Sequence, residues 1–392
     1  MTRQRTSSPG GVYAAHRSPA ARYRPFGSSV PWRYDEQASG DRDSDQHPRH
    51  RMIAALPECR IGHPRSAPAL RWGVLAPGNI AAVFVTALQH HTSQQVVAVG
   101  SRSLERGTDF AGRFGIPRVH AGYEDLVADP DVDVVYIASR QADHLEHGLL
   151  AIAAGKPVLI EKPFAVSSAQ AATLAAAARE RGVFAMEAMW TRYLPQTDIL
   201  RQLLDAGALG EITGLAADHG QRIPADSWLW STNPGGGALL DLGIYPYSFA
   251  SMVLGSPRSI AVTGSFAGSG VDRQSTAVLG YDGGAEAVLS TTMVGRTPVR
   301  ASITGSGGLF ELDGPFFVPT RLTFSPPEFG AEGLSWSDGG EIPGHEGLCY
   351  QAAALARYVH DGLLESPVHT LEETIAVLAT IDAVRERLAG HD

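Results

Sequence analysis

The sequence predicts an α/β protein in two parts. A doubly wound parallel sheet comes first, and an α+β domain built on a large, mostly antiparallel open sheet follows. Three observations predict it. From Arg71 onward, short apolar runs alternate with helix-length periodic patterns. The first run enters its helix through a tight glycine turn. After Met189 the alternation stops, and several short strand patterns follow one another without long helices between them.

In order, WGVLA reads as a buried strand, and NIAAVFVTALQHH as a helix with apolar residues at positions 80, 83, 84, 87 and 88. QQVVAVGS is the second strand; LERGTDFAGRFG is a helix with Gly115 as its stop. DVVYIAS, PVLIE and VFAMEA are further strands. Between them lie the helices DHLEHGLLAIAAG, ending at Gly155, and SSAQAATLAAAARERG, with a serine cap and Gly182 at its end. Right-handed crossovers place the C-terminal ends of all these strands on one edge. The second part opens with the helix TDILRQLLDAGALG and the strand EITGLAADHG. A buried helix, GGALLDLGIYPYSFASMVLG, comes next. Then come the strand-like runs SIAVTGSF, STAVLGY, AEAVLSTTM, VRASITG, GLFELDG and TRLTFS, and two final helices. One face of this sheet is expected to pack on the helices, the other to be exposed or paired with a second copy of the chain.

The domain boundaries are expected at 1–69, 70–188 and 189–392. Residues 1–69 are rich in Arg, Ser, Pro, Asp and His and carry no apolar period. Such a segment buries too little to offset its ordering entropy, so a disordered, dispensable extension is expected, with Met52 a candidate later start. The 392 residues are 44% hydrophobic and 19% charged, ordinary for a soluble globular protein with two sizeable cores. The net charge of -9 argues against non-specific nucleic-acid binding. Two cysteines, Cys59 and Cys349, are too few for a disulfide framework, which favours a reducing cytoplasm. No apolar run is long enough to span a membrane, and the N-terminus has no secretory core. Histidine and cysteine are not spaced as a metal site, so no metal is expected.

The chemistry-bearing residues concentrate at the sheet's C-terminal edge. The turn Ala76-Pro77-Gly78-Asn79-Ile80 follows the first strand. Gly78 permits close approach of a pyrophosphate, and the helix start offers N–H groups and a positive dipole end. That is the signature of a dinucleotide-binding, Rossmann-type unit. The second strand ends in Ser101 and Arg102, with Arg106 one helical turn on, where an NAD site usually carries a carboxylate. A hydroxyl and guanidinium groups suit a 2′-phosphate, so NADP is expected over NAD. Glu161 and Lys162 stand at the end of PVLIE, where both are expected to contact the cofactor, and Lys162 points at the ligand crevice. Lys162-Pro163 is a candidate cis bond. His144 begins the helix after DVVYIAS, either beside the cofactor or as a capping or core histidine. Trp190 and Arg192 follow the last strand of the first part and either line the cleft or serve structurally. Asp241 and Tyr245, four residues apart, share a helix face; they are either a satisfied structural pair or a proton-transfer tyrosine beside an orienting carboxylate.

Together the Gly78 turn, EKPFAVSSAQ, MEAMWTRYLP, LGEI and GGGALLDLGIYP resemble the Gfo/Idh/MocA oxidoreductase family, across about residues 70 to 390. These motifs, GGGALLDLGIYP above all, are similar to its dimeric dihydrodiol dehydrogenase and NADP-dependent D-xylose dehydrogenase branch. The resemblance implies a homodimer formed through the C-terminal sheet, a catalytic lysine at Lys162, and Tyr245 as acid/base where other branches have histidine. Two departures stand out. Ser139-Arg140-Gln141 replaces the family's usual T-P-N or T-P-H, and ADSWLWSTNP lacks an expected arginine near Trp228. The resulting expectation is hydride transfer between nicotinamide and a cyclic polyol or aldopyranose. In it Lys162 lowers the Tyr245 pKa and Asp241 orients the substrate. The alternatives are a non-catalytic dinucleotide sensor of the same fold, or an inositol or amino-sugar dehydrogenase.

Overall fold

The computed structural model describes residues 55–232 and 235–390. Six parallel strands form the first sheet: β1 (Arg71–Leu75), β2 (Gln95–Gly100), β3 (Arg118–His120), β4 (Val134–Ile137), β5 (Val158–Ile160) and β6 (Ala185–Glu187). They lie in the order β3-β2-β1-β4-β5-β6. The runs Val134–Ile137 and Val158–Ile160 are buried throughout, as strands covered on both faces must be. Helices α1 (Asn79–His91), α2 (Leu104–Phe114), α3 (Glu124–Ala128), α4 (His144–Ala153) and α5 (Ser168–Arg181) cover them. Ser103 and Ser167 cap α2 and α5, each side chain accepting from a backbone N–H three residues on. Gly115 and Gly182 end the same helices in the left-handed conformation. β3 and α3 escape a periodicity reading because three and five residues are too short to display a period.

The second domain holds α6 (Pro195–Asp205), β7 (Ile212–Gly220), α7 (Ile244–Leu254), β8 (Ser259–Phe266), β9 (Asp272–Gly280), β10 (Glu286–Thr292), β11 (Ala301–Gly305), β12 (Gly308–Leu312), β13 (Leu322–Ser325), β14 (Leu334–Trp336), α8 (Leu348–His360) and α9 (Leu371–Ala389). Its eight-stranded sheet runs β14-β13-β12-β11-β7-β10-β9-β8. Every pair is antiparallel except β7 with β10. The short edge strand β14 adds to the six runs read from the sequence after α7. Helices α7 and α9 pack on one face. The opposite face exposes Val278 and Val288.

The expected extension needs correction over 55–69. Arg60 donates through its backbone N–H and guanidinium to Asp198, at 2.7 and 2.8 Å. Arg357 donates to the His63 carbonyl at 3.1 Å, and Ala67 is buried against Ala353 and Ala356. A low-hydrophobicity segment is thus pinned by ion pairing and backbone bonds that its own composition does not reveal. Residues 1–54, including Met52, lie outside the described residues.

At the sheet's C-terminal edge the strand order reverses between β1 and β4, which is where ligands bind in such sheets. The two loops that matter, 76–78 after β1 and 138–143 after β4, flank that point.

Candidate active site

Two cavities open at this edge. The larger, of about 600 Å³, is lined by the Ala76–Gly78 turn, Ser101, Arg102, Arg106, Tyr123, the 138–143 loop and Trp228. Ala76 adopts a positive φ of 64°, which turns the chain sharply out of β1. Gly78 is the N-cap of α1 and provides no side-chain hydrogen bond, so the first N–H groups of the helix, from Asn79 and Ile80, remain for a ligand. A Cβ at Gly78 would meet no protein atom within 4 Å. Glycine there keeps room for something other than the protein. Ser101 is buried at the end of β2; burial raises the Tyr123 pKa, and the Arg102 guanidinium nearby pulls it down. Arg102 and Arg106 form no salt bridge among the described residues. These residues fit a dinucleotide: a helix N-terminus for its pyrophosphate and two unpaired guanidinium groups at the ribose end.

The smaller cavity, of about 160 Å³, lies between the domains. Lys162 enters from the end of β5, and its Nζ donates to Asp241 Oδ1 at 3.0 Å and to the Asp241 carbonyl at 2.9 Å. The same ammonium stands 5.0 Å from the ring centre of Tyr245. Trp190 Nε1 donates to the Tyr245 hydroxyl at 3.2 Å, leaving that hydroxyl its own proton to give. Glu161, almost wholly buried, reaches the cavity wall beside Lys162. Tyr136 donates to its Oε1 at 2.6 Å, and its Oε2 accepts from the Lys162 backbone N–H at 3.1 Å, which fixes where the lysine side chain leaves the strand. The Lys162-Pro163 bond is cis.

Asp241 lies in a π-helical turn, Leu239–Gly243, that runs directly into α7. The shared face expected for Asp241 and Tyr245 is kept across this wider turn, since both line the cavity. The triple glycine ahead of it is a seam of close approaches. Gly235 has φ 98°, and a Cβ there would come within 2.7 Å of Gln141 Oε1. Gly237 has φ 99°, and a Cβ there would overlap Asp272 Oδ1. Asp272 uses that closeness: its Oδ2 accepts from Leu239 N at 2.7 Å, holding the start of the turn that carries Asp241.

The electrostatics depart from expectation at one point. Burial opposes charge on Lys162, but Asp241, Tyr245 and Glu161 together raise its pKa, so it is a cation throughout the neutral range. Burial also raises the Tyr245 pKa; Lys162 and the Trp190 hydrogen bond pull it down without cancelling the rise. The lysine therefore acts in the expected direction, but desolvation wins and Tyr245 is a neutral, proton-loaded phenol.

Several expected residues stand elsewhere. Arg192 is a correction: it is 2% exposed and does not line the cavity. Its guanidinium donates to the Ser248 hydroxyl at 3.0 Å, the Ser248 carbonyl at 2.8 Å and Glu373 at 2.7 Å, all behind α7. His144 is fully buried between the carbonyls of Pro163 and Ser139, at 2.8 and 3.1 Å, and burial lowers its pKa. It is the core histidine of the two readings, tying the β4 loop to the turn after Lys162. Ile80 reaches the smaller cavity rather than the larger.

Six residues lining the smaller cavity were not foreseen: His219, Gln221, Leu242, Phe317, His345 and Leu348. His219 stacks on Phe317 at 4.7 Å and tilts against Tyr245 at 5.3 Å. The Gln221 amide faces its Nε2 at 2.8 Å, and its Nδ1 faces the Leu242 carbonyl at 3.2 Å. A neutral ring with the proton on Nδ1 satisfies both, in keeping with a pKa that burial and then Lys162 push down to about 4. Trp190 stacks on His345 at 5.5 Å. Gln221 and His345 are exposed and stand at the mouth. Beside His345, Glu346 contacts His91 of α1 and so ties the two domains at that mouth. The sequence carried one usable signal: His219 ends a core strand at a sheet edge, as Lys162 does.

A family model described as "Oxidoreductase family, NAD-binding Rossmann fold" matches residues 70–189, and one described as "GFO/IDH/MocA C-terminal domain" matches residues 198–311. The trans-1,2-dihydrobenzene-1,2-diol dehydrogenase of Sus scrofa is 35% identical over 331 residues, covering 82% of this chain and 97% of its own. The same enzyme of Mus musculus is 36% identical over 335 residues, covering 82% and 97%. A 3-ketoreductase from Actinomadura kijaniata, solved with NADP and TDP-benzene, superposes with a TM-score of 0.71 at 29% identity, covering 81% of this chain and 98% of that one. Levoglucosan dehydrogenase, solved with NADH and levoglucosan, has the same fold, with a TM-score of 0.73 at 19% identity and coverage of 83% and 98%.

Proposed function

Since the chain belongs to the Gfo/Idh/MocA oxidoreductase family, we propose that it is an NADP-dependent dehydrogenase of a cyclic polyol or aldopyranose, of the D-xylose or trans-dihydrodiol type, with Tyr245 as acid/base and Lys162 as its electrostatic support. The observation that carries the reading is the meeting of Lys162, Asp241 and Tyr245, from two domains, in one cavity walled by Trp190, Phe317 and His219. Aromatic walls suit the apolar face of a six-membered ring, and the cation and carboxylate suit its hydroxyls.

Ala76, Gly78, Asn79 and Ile80 hold the dinucleotide backbone in this account, and Ser101, Arg102 and Arg106 hold a 2′-phosphate, which favours NADP over NAD. When bound, the nicotinamide supplies or accepts the hydride. In the reductive direction Tyr245 gives its hydroxyl proton to the substrate oxygen that gains the negative charge. Lys162 stabilises that oxygen and the phenolate left behind, and Trp190 Nε1 remains hydrogen-bonded to the phenolate. Oxidation runs the same path in reverse and begins from the phenolate. Asp241, fixed by Lys162, binds a neighbouring hydroxyl and sets the ring's orientation.

The test is a panel of sugars, inositols and arene dihydrodiols, followed by NADPH absorbance with each cofactor. Turnover of an aldopyranose or dihydrodiol, faster with NADP than with NAD, is expected. Dinucleotide binding without turnover of any member would instead support the sensor reading, and preference for inositols would support the inositol dehydrogenase one. The outer sheet face around Val278 and Val288 is the proposed dimer interface, which sedimentation checks. Cys59 and Cys349 are unpaired, in keeping with a cytoplasmic setting. Among the described residues no helix is long and apolar enough to cross a membrane.

A further inference from the structure

The larger cavity has a contact across it that the proposed function leaves unused. Arg140, in the loop after β4, places its guanidinium carbon 5.9 Å from the ring centre of Trp228, and both side chains line the cavity. They come from different domains.

Trp228 is held from behind. It packs with Ile223 and Trp230 on a small core of Leu229, Leu242 and Met293, separate from the main one. The Ser227 hydroxyl caps its short turn, accepting from Leu229 N at 3.3 Å. Arg140 is exposed and has no ion pair among the described residues. With Arg102 and Arg106 it gives the cavity three guanidinium groups against a single lining carboxylate, Asp143. A dinucleotide with a 2′-phosphate brings three phosphoryl groups. Arg102 and Arg106 follow β2, at the adenosine-ribose end of such a sheet. Arg140 follows β4, across the switch point from the Gly78 turn that receives the pyrophosphate. A guanidinium facing phosphoryl oxygens binds them by charge-assisted, often bidentate hydrogen bonds, and an aromatic face beneath it preserves its orientation.

We propose that Arg140 binds the pyrophosphate of the dinucleotide and that Trp228 holds it there, so that the bound dinucleotide is clasped between the two domains. The proposal rests on the NADP reading above and adds a residue and an interdomain contact to it.

Calorimetric titration with NADP⁺, NAD⁺ and adenosine 2′-monophosphate tests it without turnover. Arg140→Ala is expected to weaken NADP⁺ and NAD⁺ by a common factor, about ten-fold or more, and to leave adenosine 2′-monophosphate unchanged. Arg102→Ala is expected to do the opposite, weakening NADP⁺ and adenosine 2′-monophosphate while sparing NAD⁺. Trp228→Ala is expected to weaken both dinucleotides about two- to five-fold. The proposal is overturned if Arg140→Ala leaves both dinucleotides unchanged, or weakens adenosine 2′-monophosphate to the same degree. If the wild-type chain binds neither dinucleotide, the NADP reading falls as well; the two Arg140 outcomes overturn this proposal alone.

Discussion

Replacing Lys162 with Met keeps most of the side chain's length and apolar stem and removes only the charge. Two hydrogen bonds to Asp241, at 2.9 and 3.0 Å, and the ammonium over the Tyr245 ring are lost together. Charge-assisted hydrogen bonds contribute about 1.5–3 kcal/mol each and a cation–π contact about 0.5–2 kcal/mol. The lysine and aspartate side chains are 16% and 22% exposed, so solvent screens part of this. Met also no longer bears the cost of burying an ammonium, which offsets most of the rest, so a net stability loss of about 1–2 kcal/mol is expected, or a fall of a few degrees in Tm. Catalysis suffers more. Lys162 heads the influences that lower the Tyr245 pKa, whereas Glu161 and Asp241 raise it. Without the cation the phenol is harder to ionise, and the substrate oxygen loses its nearest positive charge. Loss of a donor aimed at developing charge costs about 10²–10³ in kcat. NADPH affinity, which the proposed function assigns to the larger cavity, should be unchanged. Steady-state rates of the variant, NADPH fluorescence titration and a thermal melt measure the three quantities. A kcat within three-fold of wild type, with NADPH bound normally, would refute the reasoning.

Two further perturbations read the supports of the site. Gly237→Ala forces a side chain into a φ of 99° and into Asp272, the residue that holds the turn bearing Asp241. A loss of about 2–4 kcal/mol in urea unfolding and a drop in kcat are expected, and a loss below about 1 kcal/mol would mean that the seam is not tight. His219 has its pKa lowered to about 4, by burial first and Lys162 second. The unfolded chain takes up that proton near pH 6.5 and the folded chain does not. Stability that is complete above pH 6.5 is therefore lost as pH falls toward 4, by roughly 3 kcal/mol at most. Histidine NMR titration, with His219→Gln for assignment, should find this ring neutral at pH 5; titration near 6.5 would contradict the burial argument.

The alternation of runs from Arg71 to Glu187 was readable because the central strands β4 and β5 are apolar throughout and helices α2 and α5 carry their own caps and stops, at Ser103, Gly115, Ser167 and Gly182. Lys162 was readable for a related reason: a cation at the end of an apolar strand has one edge of the sheet to face. Arg192 misled because sequence position cannot tell a cleft-facing guanidinium from one bonded to Ser248 and Glu373 behind a helix. Phe317, in a turn, and His345, in the short 3-10 helix Gly344–Gly347, were invisible, being brought to the cavity by strands and helices far from Lys162 in the chain. The Arg140–Trp228 contact was hidden in a similar way. Each member was noticed as a local irregularity, and only the fold places one against the other. The balance of forces on Tyr245 was also beyond the sequence, because burial, which depends on packing from every side, outweighs the one lysine the motif revealed.

The central claim is that the Tyr245 hydroxyl moves the proton. Tyr245→Phe removes that oxygen and keeps the ring between Phe317 and Lys162. With a substrate found in the panel, kcat/KM measured across pH for wild type and variant tests the claim directly. The account predicts a loss of about 10³-fold, within the usual span for a positioned acid/base, with NADPH binding unchanged and the tyrosine limb of the pH profile gone. A variant within ten-fold of wild type that keeps that limb would contradict it.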